Sequence, residues 1–409
     1  MEQRFLALDL GTTTLAGALL TPDGEVVAQA FLPNPQVRAG TDVLTRLQAA
    51  AKGRGEELRR LLTEGINELT ARLLASAKTP PQAVAAAAAA GNSAVSALLC
   101  GKPAKELLLP PHRLSWRAGE ELDPPSLGLE LPVPLYLFPL VGGFVGGDLV
   151  AFLYGAGQVP GPALYLDIGT NAEIALDTGE RWWVTSAAAG PAFEGGNISC
   201  GMAAAEGAIE GVKIEGDRLR LEVIGRGAAR GLCGSGLAEA VAAGLEGKLI
   251  DLAGAIRPQR DIADNLARYV VEAGAERGIR LYRDASGEVV LSQSDIRQFQ
   301  LAKGAVRAAI ACLLERAGQK PEALRQVLVS GAFGLAITPE TLKKVAMLPE
   351  KVVDRVGFVP QGVLQGVGRF LTRPQGWQEV AQLAVALTVY PLSGTPSFEQ
   401  AFLRALDFR

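Results

Sequence analysis

The chain has 409 residues, with 40 Lys and Arg against 43 Asp and Glu and a formal net charge of −3. Its basic residues are dispersed, so no charged patch points to nucleic acid. The one histidine, His112 in LLLPPHRLSW, excludes His-rich zinc sites, and no GxSxG signature offers it a nucleophile for a Ser-His-Asp triad.

The length suffices for two or three domains with a sizeable core. Cys100, Cys200, Cys233 and Cys312 show neither CxxC nor clustered spacing, so no iron–sulfur cluster or disulfide framework is expected. Scattered thiols, and no signal-peptide pattern before the first apolar run, suit a cytoplasmic protein. Residues 131–157 are apolar, but Pro132, Pro134, Pro139, the glycines between 142 and 147 and Asp148 argue for buried strand, turn and helix rather than a membrane span.

In chain order, RFLALDLGTTTLAGALL (residues 4–20) reads as strand, phosphate-binding turn, strand. An apolar run delivers Asp9 to a turn in which Gly11 allows close backbone approach, while Thr12, Thr13 and Thr14 offer hydroxyls and N–H groups to an anion. A carboxylate beside phosphate calls for a divalent cation between them, which implies a magnesium nucleotide. Thr21-Pro22-Asp23-Gly24 closes a hairpin onto a strand at 25–31, and 33–41 is a polar loop. Helical spacing of Leu58, Leu61, Leu62, Ile66, Leu69 and Leu73 predicts a helix over 56–76 that packs on a sheet. The alanine run 83–90 has strand length and ends at Gly91-Asn92-Ser93, where Asn92 or Ser93 caps the next helix. After an irregular Pro-rich stretch at 107–133, a short strand at 136–139 leads through GGFVGGD into a helix at 148–155.

Residues 164–176, LYLDIGTNAEIAL, echo the first motif, with Asp167, Gly169, Thr170 and Asn171 at the turn. The echo suggests a duplicated α/β fold: a first lobe over 1–160 rejoined by 360–409, and a second over 161–359. One ligand is then held by Asp9, Asp167 and the two turns. The second lobe is expected to hold a hairpin at 212–224, a helix after Gly234-Ser235-Gly236, and a long helix at 295–317. Its most unusual stretch is SAAAGPAFEGGNISCGM (186–202), read either as a tight backbone crossing or as a ligand-facing loop with Glu194 as its polar group. GLCGSG (231–236) is read more simply as a C-cap glycine followed by a Ser N-cap. Among carboxylates near Gly-rich turns, Asp148 is favoured over Glu173 and Glu194 to orient an attacking water, and Glu194 is given to ribose or interlobe contact.

The two phosphate motifs resemble those of the superfamily of acetate and sugar kinases, heat-shock chaperones and actin (ASKHA). That resemblance implies two lobes of mixed sheets flanked by helices, binding ATP and magnesium, with an adenosine motif at VLVSGAFG (327–334), including Gly331, Ala332, Phe333 and Gly334. Seven blocks in order, from AGNSAVSALLCG (90–101) and FPLVGGFVGGDLVA (138–151) to VLVSGAFG, together with YPLSGTPSFEQAFLRAL (390–406), resemble the reductive activators of corrinoid proteins. The resemblance covers essentially the whole chain. It implies ATP-coupled reduction of Co(II) to Co(I) on a partner corrinoid protein. In that family an N-terminal two-iron ferredoxin domain supplies electrons. No such portion lies in this chain, so a removed ferredoxin domain or a separate carrier is implied, and a homodimer is left open. In the related dehydratase activators a cluster-ligating Cys would fall at Ala187, which argues against that assignment. A small-molecule kinase and a non-enzymatic nucleotide-gated module remain as alternatives.

Overall fold

The computed structural model describes residues 2–110, 112, 114–157, 159–285, 287–331, 337–392 and 394–409. The chain opens with β1 (Arg4–Leu10), β2 (Thr14–Leu20) and β3 (Val26–Pro33), then α1 (Val43–Ala49) and α2 (Gly55–Ser76). β4 (Val84–Gly91) runs into α3 (Ser93–Leu99). One-turn helices α4 (Lys105–Leu108) and α5 (Pro124–Leu127) flank β5 (Glu120–Leu122), and β6 (Leu135–Leu137) precedes α6 (Gly147–Ala156). There follow β7 (Ala163–Ile168), β8 (Ala172–Asp177), β9 (Trp182–Ala187), β10 (Ala208–Glu215), β11 (Arg218–Val223), β12 (Gly231–Leu232) and α7 (Gly234–Glu246). The last stretch holds β13 (Val270–Ala273), β14 (Glu276–Arg283), β15 (Glu288–Ser292), α8 (Gln293–Arg316), β16 (Gln326–Gly331), α9 (Pro339–Lys344), β17 (Val356–Phe358), α10 (Gly362–Thr372), α11 (Gly376–Ala386), β18 (Leu387–Val389) and α12 (Pro396–Ala405).

The chain divides into two compact units: residues 1–160, 179–185 and 361–390, and residues 161–178, 186–360 and 391–409. The leading segment of the first unit ends at residue 160, and the tail is split between the units. Residues 391–409 belong to the second unit, and only 361–390 rejoin the first. The reason lies on α8, where Gly304 leaves room for Phe402 and Leu406, and Phe299 stacks on Phe408 with centroids 6.3 Å apart. One face of α8 also satisfies the tail's backbone: Gln300 donates to the Leu406 carbonyl, Lys303 to that of Asp407 and Arg307 to that of Arg409.

In the first unit the sheet order is β3-β2-β1-β4-β6-β5, with β1 antiparallel to β2 and parallel to β4. Alternation along the strands sends Leu6, Leu8, Leu10, Leu15 and Leu19 into one core with the α2 stripe of Leu62, Ile66, Leu69 and Leu73. The alanine run is indeed a strand. As a parallel strand with most of its residues buried, β4 tolerates small side chains where bulk would force the layers apart. α6 and α10 cross backbone to backbone: a Cβ on Gly366 would lie 1.7 Å from the Ala151 carbonyl oxygen. β18 adds in parallel to β9.

In the second unit the order β17-β16-β7-β8 repeats the first: β7 is antiparallel to β8 and parallel to β16, as β1 is to β2 and β4. Two three-stranded sheets, β11-β10-β12 and β13-β14-β15, extend this unit. The GLCGSG stretch differs from the expected cap pair. Gly231 and Leu232 form β12, and Cys233 occupies the N-cap of α7 without a side-chain cap bond. Close packing demands the glycines, since a Cβ on Gly234 would lie 1.7 Å from the Phe193 carbonyl oxygen and one on Gly236 1.9 Å from that of Ile209.

Lys303 is fully buried, and burial, reinforced by the Arg307 charge, lowers its pKa to about 7. In the unfolded chain the ammonium keeps its ordinary value of 10.5. Between those values the unfolded state holds a proton that the folded state lacks, so this group makes stability rise with pH across the window. Lys303→Met should flatten that rise, read as the difference in urea midpoint between about pH 7 and about pH 10. An unchanged slope would contradict the assignment.

Candidate functional site

Asp9 is the penultimate residue of β1 and half-buried, while Leu6, Ala7, Leu8 and Leu10 around it are buried. The turn that follows is held from behind. Asn34 Nδ2 donates to the Gly11 carbonyl at 2.9 Å, Arg46 Nη1 to the Thr12 carbonyl at 2.7 Å, and the Asn34 N–H to the Thr13 carbonyl at 2.8 Å. In a planar trans peptide the next N–H points opposite to each carbonyl, so the N–H groups of Thr12, Thr13 and Thr14 face the other way. That is the arrangement of an anion-binding nest. Gly11 is obligatory here, because a Cβ would lie 2.5 Å from the Thr14 carbonyl oxygen. Thr14 is exposed and Thr13 half-buried. Thr12 is buried, and its hydroxyl accepts from Asn92 Nδ2 at 2.9 Å, which leaves its own O–H proton to donate.

Asn92 does more than the capping expected of it. Its Oδ1 accepts from the N–H groups of Ala94 and Val95, while its amide reaches Thr12. Against it lies the turn that opens α6, since a Cβ on Gly146 would fall 2.4 Å from Asn92 Cα and 2.6 Å from Asp148 Oδ1. Asp148 therefore joins Thr12 and Asn92 beyond the carboxyl ends of β1 and β4, where open α/β sheets bind ligands. It is 8% exposed, and burial pushes its carboxyl up to about 6 despite the hydrogen bond it accepts from the Leu149 N–H at 2.9 Å.

The second unit repeats the placement. Asp167 is the penultimate residue of β7 and half-buried, directly opposite buried Glu173 on β8. Residues directly opposite in antiparallel strands share a face, so two carboxylates lie side by side there. Gly169 donates to the Asn171 carbonyl at 3.0 Å and the Gly190 N–H to the Thr170 carbonyl at 2.9 Å, turning the Asn171 N–H away. The Thr170 hydroxyl donates to Glu194 Oε2 at 2.5 Å. The structure thus brings Glu194 onto the 169–171 turn, carried by the one-turn 3-10 helix Pro191–Glu194. That loop is pinned by Asp295, whose carboxylate accepts from the Ser199 N–H at 2.7 Å and the Ser199 hydroxyl at 2.6 Å. Gly331 ends β16 beside Ile168, with φ of +94° and no room for a Cβ, which would lie 2.2 Å from the Ile168 carbonyl oxygen. Ala332, Phe333 and Gly334 lie outside the described residues.

These groups fit a magnesium nucleotide. Each unit presents a Gly-Thr turn beside a half-buried carboxylate, and the Asp167–Glu173 juxtaposition favours a cation. The sequence did not reveal the supports. Asn34, Gln36 and Arg46 fell in or beside a polar loop, and only the Asn34-Pro35 turn signal marked the spot. Asp295 carried no signal beyond its helix-start position. His112 is a loop side chain, with Nδ1 2.7 Å from the Leu107 carbonyl oxygen. All four cysteines are free, and no helix among the described residues is long and apolar enough to cross a membrane.

Residues 161–409 match the family described as the C-terminal domain of RACo, the ASKHA domain, and residues 5–157 match the RACo middle region. The corrinoid activation enzyme RamQ of Eubacterium limosum is 30% identical over 415 residues, covering 97% of this chain and 69% of that one. The Co(II) methylated amine-specific corrinoid protein reductase of Methanosarcina barkeri is 30% identical over 235 residues, 52% of this chain and 39% of that one. A solved reductive activator for a corrinoid, iron-sulfur protein superposes with a TM-score of 0.92 at 26% identity, over 99% of this chain and 66% of the other. The chain spans about two thirds of the length of the first and third of these relatives and less of the second. It carries a RACo middle region and an ASKHA domain, and it belongs to the family of reductive activators of corrinoid proteins.

Proposed function

We propose that this chain binds and hydrolyses magnesium ATP and couples the cycle to reduction of a partner corrinoid protein from Co(II) to Co(I). The observation that carries the reading is the first turn, with its three carbonyls anchored behind and its N–H groups turned outward, in a chain of this family. The first unit supplies Asp9, Gly11 and the donors of Thr12, Thr13 and Thr14. The second supplies Asp167, Gly169, Thr170 and Asn171, with Glu194 fixing the Thr170 hydroxyl and the motif of Gly331, Ala332, Phe333 and Gly334 taking adenosine. Asp9 and Asp167 would hold magnesium, which when bound would neutralise phosphate charge. Asp148 accepts a proton from the attacking water. Its raised pKa suits a group that must be basic near neutrality yet release that proton afterwards.

The electron balance is simple. One electron from a ferredoxin-type donor converts Co(II) to Co(I), while ATP and water give ADP and phosphate. The Co(II)/Co(I) couple is low, so transfer from such a donor is uphill until an axial ligand is withdrawn from cobalt. The nucleotide cycle supplies that work through docking that differs between nucleotide states.

The experiment mixes the chain with a Co(II) corrinoid protein, a ferredoxin-level reductant and magnesium ATP, and follows cobalt absorbance. ATP-dependent growth of the Co(I) signal is expected, and its loss in Asp167→Ala. A set of corrinoid partners that neither accelerate hydrolysis nor become reduced would overturn the reading. Asp9→Ala and Asp167→Ala should each lower hydrolysis about 10²-fold or more. Full activity in both would remove the metal assignment. Hydrolysis should also fall as pH drops through about 6, where Asp148 takes up its proton. Asp148→Asn should lack this acid limb, and an unchanged limb in that variant would assign it to another group.

A further inference from the structure

The 11–14 turn is braced by a buried polar layer drawn from the 34–36 segment and α1. Asn34 and Gln36 are completely buried, and Arg46 is 1% exposed. Arg46 enters from α1, donating through Nε to the Gly40 carbonyl at 2.8 Å and through Nη1 to the Thr12 carbonyl at 2.7 Å and Gln36 Oε1 at 3.4 Å. Gln36 Nε2 in turn donates to the Leu58 carbonyl in α2 at 2.9 Å. A guanidinium this deep carries a large desolvation cost. A turn needing only mechanical support would be held as well by a neutral donor. Here the cation hydrogen-bonds the carbonyl of the peptide whose N–H, on Thr13, faces outward, so it polarises that peptide and places fixed positive charge behind the donors.

We propose that Arg46, together with Asn34, is a positioning residue for nucleotide phosphate. Arg46 locks the Thr12–Thr13 peptide with its N–H toward the ligand and lends the turn a buried positive charge. Asn34, through neutral donors, locks the peptides on either side in the same orientation. This deepens the nucleotide reading above and rests on it. Affinity through these residues depends on the phosphate chain and not on the base or ribose.

The test compares the 409-residue wild-type chain with Arg46→Gln and Asn34→Asp, measuring calorimetric affinities for ATP, ADP and adenosine with magnesium, and thermal unfolding of each variant. Asn34→Asp keeps the side-chain oxygen that accepts from the Gln36 N–H at 3.0 Å and removes the donor to Gly11. ATP and ADP binding should weaken about tenfold or more in both variants, with adenosine binding changed less than about twofold. Arg46→Lys, which keeps the charge, should recover part of the loss. Equal loss for ATP and adenosine would reduce the residues to general fold support and overturn the proposal. So would wild-type ATP affinity in a folded variant. If Arg46→Gln does not fold, Asn34→Asp decides the matter alone. A wild-type chain that binds none of the three ligands would instead overturn the nucleotide reading itself, and this inference with it.

Discussion

The parallel pairing of β1 with β4, repeated by β7 with β16, is the constraint on which the rest of the structure depends. A parallel pair places two carboxyl ends at the same sheet edge, and the loops leaving those ends must meet there. In the first unit this collects the 11–14 turn, Asn92 and the start of α6 with Asp148. In the second it collects the 169–171 turn and Gly331. In each pair the first strand is followed at once by a hairpin partner, β2 or β8, that returns the chain immediately. The turn between the two strands is therefore short and its backbone donors are held close to one carboxylate.

Close approach is the second theme. Gly366, Gly234, Gly236 and Gly146 all occupy places where a single Cβ would meet backbone or a neighbouring carboxylate at well under van der Waals distance. Helices that lie this near to other backbones bury little side-chain volume and exchange few rotamers. Their positions are then set by the backbone itself, which suits a protein that must hold donors in register. The polar interior follows the same logic. Asn34, Gln36, Arg46, Asn92, Asp295 and Lys303 are all at least nine-tenths buried, and each one's hydrogen bonds go to a turn, a helix start or the tail rather than to apolar packing. Buried polar groups are tolerated where they are satisfied, and here they fix irregular backbone that no ladder supports.

Much of this was legible in the sequence, for identifiable reasons. The α2 stripe, the alanine strand and the long α8 follow from periodicity and length, and the duplicated Asp-Gly-Thr turns follow from apolar runs that end on a carboxylate. The supports were not legible. A side chain that reaches across 34 residues, as Arg46 does to Thr12, leaves no local pattern. The docking of the tail was equally illegible, because its partner, the Gln300, Lys303 and Arg307 face of α8, is distant in sequence. GLCGSG misled in a similar way, since its glycines answer to the backbones at Phe193 and Ile209, distant in sequence.

Phosphate turns of this kind occur in proteins that transfer phosphate to a small molecule and in proteins that release it to water, and the geometry of the donors serves both. ATP-coupled reduction of a corrinoid protein requires release to water in step with cobalt reduction. Following the γ-phosphate of labelled ATP in a mixture of this chain, a Co(II) corrinoid protein and a low-potential donor tests that requirement most directly. The account predicts free inorganic phosphate accumulating in proportion to Co(I). Label found in a phosphorylated small molecule while cobalt stays Co(II), or Co(I) formed at the same rate without ATP, would contradict it.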